Sequence, residues 1–306
     1  MSSNKVAFVF PGQGSQKVGM LAELAEQYPV IQSTFEQASA VLGYDLWALS
    51  QNGPQEELNL TECTQPLLLT ASVAIWRLWK ELGGAEPELM AGHSLGEFSA
   101  LVCSGVISFE EGVTLVRNRG AYMQTAVPVG VGAMAAIIGL DDDKVEAACA
   151  SVPGDECVVP VNYNSPGQVV IAGHADAVAK AIDACKEAGA KRGLPLPVSA
   201  PFHTPLMQPA GEKLAADIEV LTFNAPAIPI VHNVHAQTEA DPERIKALMI
   251  KQIAAPVLWT ASIEAMVAAG IETVVECGAG NVASGLARRV HKPLVNGTTD
   301  TLAAIE

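Results

Sequence analysis

Short apolar runs bounded by glycine and proline alternate along this chain with longer stretches whose apolar residues recur every three to four positions. The first run, residues 5–10, is continuous enough for a strand buried on both faces. It ends in Pro11-Gly12-Gln13-Gly14-Ser15-Gln16, a glycine-rich turn. Helical spacing follows over 19–28 and 29–42. Pro66 reads as the start of a long helix to about 82, because its fixed φ suits a first turn. Leu67, Ala71, Ala74, Ile75, Leu78 and Trp79 then share one face. A second apolar run, 88–92, predicts a strand that breaks at His93-Ser94 and continues as a helix over 95–104. Another helix is predicted over 108–125.

The pattern then changes. Strand 131–138, helix 141–151, strands 157–162 and 167–173, helix 175–188 and strand 191–196 form a βαββαβ order, which predicts a ferredoxin-like subdomain. Alternation resumes with helix 205–221, strand 227–231, helices 242–253 and 260–269, strand 272–276 and helix 281–290. The fold class expected is α/β: an α/β-hydrolase-like large domain on a parallel-type sheet, built from 1–126 and 199–306. The ferredoxin-like subdomain, 127–198, is inserted into it.

Composition narrows the function. A chain of 306 residues, 49% hydrophobic, has ample material for such a core. Lys and Arg number 18 against 33 Asp and Glu, a net charge of −15. That balance argues against nucleic acid, whose grip needs many cationic contacts, and against an anionic membrane surface. The apolar run before Pro11 is too short for a signal-peptide core. The stretch 127–140 is interrupted by Pro128, Gly130, Gly132 and Gly139, well short of the roughly 20 residues of a membrane span. Six cysteines (63, 103, 149, 157, 185 and 277) form no C-x-x-C pair and lack histidine at ligand spacing. Reduced thiols, no metal and a cytoplasmic location are the expectation.

Gly92-His93-Ser94-Leu95-Gly96 matches G-x-S-x-G between a predicted strand and a predicted helix. Such an elbow needs glycine on both sides, because a Cβ would collide with the adjoining strand and helix. It lifts the Ser94 hydroxyl to the carboxyl end of the sheet and aims the Leu95 N–H at an oxyanion formed there. The bland alternative is a glycine-rich connection with a capping serine. A serine nucleophile also needs a base. His93 is adjacent but projects away from Ser94 at a sharp turn. His174 reads as a capping or surface residue, His232 and His235 as solvated strand-end residues, and His291 as part of a basic helix end. His203 stands in Ser199-Ala200-Pro201-Phe202-His203-Thr204-Pro205, a rigid loop where the chain re-enters the large domain, and is favoured as the base. The Pro-Gly-Gln-Gly turn after the first strand is placed to bring a second oxyanion donor. It lacks the G-K-[ST] ending of a phosphate loop and the third glycine of a dinucleotide site.

These motifs occur in order with Arg119-Gly120, Asn162-Tyr163-Asn164-Ser165-Pro166-Gly167-Gln168 and Gln252 ahead of Pro256-Val257-Leu258-Trp259. Together they resemble the malonyl-CoA:acyl carrier protein transacylases of bacterial-type fatty acid synthesis over about residues 5–295. The resemblance implies ping-pong acyl transfer: Ser94 attacks malonyl-CoA with His203 as base, and the malonyl group passes to the phosphopantetheine thiol of acyl carrier protein. It implies Gln13 and Leu95 as oxyanion donors, the Gln252 main-chain carbonyl as the group orienting His203, and no cofactor. Arg119, with Asn162 and Phe202 beside it, would bind the substrate. A guanidinium fork suits the malonyl carboxylate, and Phe202 resembles malonyl-selective members. Leu258 departs from relatives that often carry a polar or basic residue there.

Two rival readings stay open: a serine hydrolase using the same elbow, and a catalytically silent carrier-binding subunit. A monomer is expected. An acidic carrier protein meeting a chain of charge −15 must land on a local cationic patch. Arg288 and Arg289 with His291 and Lys292 form one candidate, and Lys186 with Lys191 and Arg192 another. Ordinary solvated helix ends are the alternative for both.

Overall fold

The computed structural model describes residues 5–198 and 200–305. Its strands, in chain order, are β1 (Val6–Phe10), β2 (Leu89–Gly92), β3 (Gly132–Ile138), β4 (Val158–Ser165), β5 (Gln168–His174), β6 (Arg192–Pro195), β7 (Ile230–Val231), β8 (Thr273–Glu276) and β9 (Val295–Thr298). A five-stranded sheet has the order β7-β2-β1-β8-β9 with every pair parallel. A separate four-stranded sheet has the order β4-β5-β3-β6 with every pair antiparallel.

The continuous apolar run of β1 explains its central place. Phe8 and Phe10 enter one core, and Phe8 meets the edges of Trp76 and Trp79 at 5.7 and 5.3 Å. Ala7 and Val9 enter a second core with Trp259, Ile263 and Met266 on the opposite face. A strand covered on both sides has no polar alternation to show. In the antiparallel sheet, Ala135, Ile137, Val169 and Ile171 pack on helices Asp142–Ala150 and Ala175–Glu187. Met134, Ala136, Val170 and Ala172 face the main core from the other side.

The expected βαββαβ order over 131–196 is present within a residue or two at most boundaries. Elsewhere the pattern misled. The long helix runs over Thr61–Glu81 with Pro66 inside it rather than at its start. Pro66 lies in the second turn, where the missing N–H removes one intrahelical bond, and Thr64 Oγ1 returns a bond to the Leu60 carbonyl (3.1 Å) at the helix mouth. Helices Leu46–Asn52, capped by Asp45, and Gln55–Leu58 went unpredicted because they are too short to display a period. So did β9 and helix Leu302–Ile305. The segment at 205–221 is a 3-10 turn, Pro205–Met207, leading into helix Gln208–Glu219. No helix among the described residues is long and apolar enough to cross a membrane.

Candidate active site

β1 and β2 end side by side, and the turns that follow them meet. Ser94 joins β2 to helix Leu95–Cys103 with φ 51° and ψ −106°, a left-handed conformation that costs a residue with a Cβ about 1–3 kcal/mol. The flanking glycines are required by contact. A Cβ on Gly92 would run into the Gly96 carbonyl and the Glu97 nitrogen, and one on Gly96 into the Phe10 carbonyl. Gly12 lies against the His93 carbonyl, where a Cβ would stand 2.6 Å away. Three hydrogen bonds hold the strained turn. Ser94 N donates to Asn233 Oδ1 (2.8 Å), Gln252 Nε2 donates to the Ser94 carbonyl (2.9 Å), and Asn233 Nδ2 donates to the Gly92 carbonyl (2.7 Å).

Ser94 Oγ is 2.8 Å from His203 Nε2, and His203 Nδ1 is 3.0 Å from the Gln252 carbonyl. A carbonyl only accepts, so Nδ1 carries the proton and Nε2 presents its lone pair to the serine. His203 is buried and itself left-handed, with φ 64°. Burial, reinforced by the nearby Arg119 cation, pushes its pKa down to about 3, so the ring is a neutral base at working pH.

Arg119 is 1% exposed inside helix Phe109–Thr125. Its Nη1 donates to Gln65 Oε1 (2.8 Å), and its Nη2 donates to both Ser94 Oγ (3.0 Å) and Gln252 Oε1 (2.9 Å). The guanidinium lies 5.1 Å from the Phe98 ring centroid. Burial pushes its pKa down to about 9 while Glu97 pulls the other way, leaving the cation intact at neutral pH. Arg117, two residues earlier, turns aside to bond its neighbour Asn118.

A cavity of about 130 Å³ opens over these groups, lined by Ser94, His203, Arg119, Gln13, Leu95, Asn162 and Phe202 together with Gln65, His93, Met123, Met134, Leu196 and Val198. Every predicted catalytic, oxyanion and substrate-binding residue therefore reaches one space. The lining includes no carboxylate, and Asn162 Oδ1 is buried there without a protein partner. Gln252 lies one layer behind, joined to the site through the bonds above. Arg288, Arg289 and Lys292 do not reach it. They stand exposed at the end of helix Val282–Val290, where Arg289 Nη1 donates to Gln168 Oε1 of β5 (2.7 Å). Lys186, Lys191 and Arg192 are also exposed, away from the cavity. No cluster of metal-ligating side chains occurs among the described residues.

Sequence reasoning missed four supporting residues: Gln65, Glu97, His232 and Asn233. His232 is not a solvated strand-end residue. It is fully buried, with Nδ1 2.6 Å from Glu97 Oε1. The one available signal was Glu97 itself, an acidic residue directly after Gly96 at the start of an apolar helix. His93 lines the cavity but bonds Asn164 Oδ1 (2.8 Å) rather than Ser94.

Comparison with known proteins agrees with this geometry. Residues 7–296 match the acyl transferase domain family. The malonyl CoA-acyl carrier protein transacylase of Salmonella typhimurium is 56% identical over 299 residues, covering 98% of this chain and 97% of that one. The Escherichia coli K12 protein of the same name is 58% identical over 284 residues, covering 93% and 92%. A crystal structure of an acyl carrier protein S-malonyltransferase from Vibrio cholerae superposes with a TM-score of 0.97 at 57% identity, covering 98% of each chain. A malonyl-transacylase solved in complex with its type II PKS acyl-carrier protein superposes equally well, TM-score 0.97 at 53% identity, covering 98% and 97%. The chain belongs to the malonyl CoA-acyl carrier protein transacylase family and is an acyltransferase.

Proposed function

We propose that this protein moves the malonyl group of malonyl-CoA to the phosphopantetheine thiol of acyl carrier protein by a ping-pong Ser-His mechanism, supplying fatty acid synthesis. The observation that carries this reading is the position of Ser94 Oγ, within hydrogen-bonding distance of both His203 Nε2 and Arg119 Nη2. His203 takes the hydroxyl proton as Oγ attacks the thioester carbon. The oxyanion is held by Gln13 and by the Leu95 N–H at the helix N-terminus, where the helix dipole favours negative charge. The carbon–sulfur bond breaks and CoA leaves with the proton from His203, so malonyl-Ser94 remains. The carrier thiol then gives His203 its proton and attacks the ester, and Ser94 recovers the proton as it departs.

Arg119 receives the malonyl carboxylate, with Asn162 and Phe202 completing the acyl site. A hydrolase has no use for a buried guanidinium beside its nucleophile, and a silent carrier-binding subunit has no use for a strained serine. The parallel sheet, with its strand–elbow–helix at Ser94, reads as α/β-hydrolase-like. The strand order β4-β5-β3-β6 reads as ferredoxin-like. The division into 1–126 with 199–306 and 127–198 follows those two sheets. The exposed Arg288, Arg289 and Lys292 offer a landing place for an acidic carrier. Reduced cysteines support a cytoplasmic location for a cofactor-free monomer.

The test is intact-protein mass spectrometry after brief exposure to malonyl-CoA. One malonyl adduct is expected, absent in Ser94→Ala and discharged by holo acyl carrier protein. Rapid malonate release indifferent to the carrier would instead establish a hydrolase, and absence of any adduct would establish a silent subunit.

A further inference from the structure

Glu97 is 0% exposed, a costly place for a carboxylate unless donors surround it. Its Oε1 accepts from His232 Nδ1 (2.6 Å), and its Oε2 accepts from Gln252 Nε2 (2.8 Å) and Asn233 N (3.2 Å). Each recipient leads back to the reacting groups. Asn233 accepts the Ser94 N–H. Gln252 donates to the Ser94 carbonyl, offers its main-chain carbonyl to His203 and its Oε1 to Arg119. The Gln252 amide thus stands between Arg119 and Glu97, oxygen towards the cation and nitrogen towards the anion.

We propose that Glu97 and His232 are positioning residues: a buried carboxylate–imidazole pair that fixes the orientation of the Gln252 amide, and through it both the Ser94 turn and the Arg119 guanidinium. Neither lines the cavity, so neither touches substrate. His232 Nε2 is buried without a partner, which suits a neutral ring giving its one N–H to Glu97. The fully buried ring therefore serves to aim the carboxylate. An amide by itself can sit either way round. With Glu97 on one side only the observed orientation presents an acceptor to Arg119.

The inference rests on the acyl-transfer reading above and is tested with Glu97→Gln, which keeps shape but places an N–H₂ where the carboxylate met N–H donors. Turning the Gln252 amide over relieves that clash and aims its own N–H₂ at Arg119. We expect acylation of Ser94 by malonyl-CoA to fall about 10- to 100-fold per folded molecule, the scale of a lost charge-assisted hydrogen bond. Acetyl-CoA should lose less, so the malonyl-to-acetyl preference should narrow about tenfold. His232→Leu should behave similarly. His232→Asn, whose Nδ2 falls close to the position of imidazole Nδ1, should recover most of what His232→Leu loses. Far-UV circular dichroism and thermal melts count the folded molecules, and a purely structural role would leave rate per folded molecule and acyl preference unmoved. Either that result, or equal loss in His232→Leu and His232→Asn, overturns the proposal. Absence of the malonyl adduct in the unsubstituted protein would sink the acyl-transfer reading instead.

Discussion

Two sheets border the cavity, and they contribute to it by different physics. At the carboxyl end of the parallel sheet the groups are polar: half-buried Ser94 at φ 51° and buried His203 at φ 64° sit on strained backbone, with Arg119 almost without exposure beside them. The antiparallel sheet brings Met134 and Asn162 from its strands and Leu196 just beyond β6. Even Asn162 reaches the site where β4 is irregular: its register against β5 shifts between Pro160 and Asn162, and Asn162, still paired with Val170, also bridges to Val257. The contrast teaches that the chemistry proposed here is concentrated where turns over-determine a few side chains, while regular strands give the cavity its wall. Strain survives at Ser94 because three hydrogen bonds and two tight glycine contacts leave the turn no alternative.

That contrast can be broken or sharpened by substitution. Ser94→Ala should have the largest effect, removing the acyl adduct and about 10⁴-fold or more of transfer, measured with malonyl-CoA and holo carrier. Ile137→Ala, in the helix-covered face of the antiparallel sheet, should cost about 2–5 kcal/mol in urea unfolding with the rate per folded molecule retained. A large rate loss there would show that the wall does more than shape the cavity. Arg119→Ala should lower malonyl transfer about 100-fold while relatively favouring acetyl-CoA, read from the two kcat/KM values. Asn162→Ala should raise KM for malonyl-CoA about tenfold, the worth of one buried hydrogen bond, with less change in kcat.

The smallest effect concerns pH. Burial holds both His203 and His93 below their ordinary value of 6.5, so the folded protein resists protonation that the unfolded chain accepts. Their contribution to stability is complete above about 6.5 and declines as pH falls towards the folded values. A loss of about 2 kcal/mol between pH 7 and pH 5 is expected from His203 alone, with a further contribution of the same sign from His93, measured by urea unfolding at the two pH values. The acylation rate should show no acid limb near 6.5 over the same range. A limb there would mean that His203 titrates as an exposed ring does.

Much of this was readable in the residues. Gly92 and Gly96 around Ser94 announce a turn that only small neighbours permit, and the proline-bracketed loop announces a rigid His203. The βαββαβ stretch is legible because its strands and helices are long enough to show a period. Pro66 misled because a helix-starting proline and one tolerated in the second turn look alike in sequence. His232 misled because burial of a histidine depends on a partner, Glu97, that lies 135 positions earlier in the chain. Long-range pairing of this kind leaves no local pattern. The same is true of the Gln252 amide, whose contacts with Ser94 span 158 positions.

The order of strands in the parallel sheet has a consequence for biosynthesis. β1 is made before the other strands of its sheet and lies at its centre, yet Val6 pairs with Thr273, which emerges about 270 residues later. At the usual pace of translation, β1 keeps an unpaired edge for roughly 15 to 50 seconds. During that interval the nascent chain exposes Val-Ala-Phe-Val-Phe, an apolar edge of the sort that seeks another chain. Slow passage through residues 6–273 should therefore favour aggregation during synthesis, and trapping by chaperones, more than any weakness of the finished molecule would suggest.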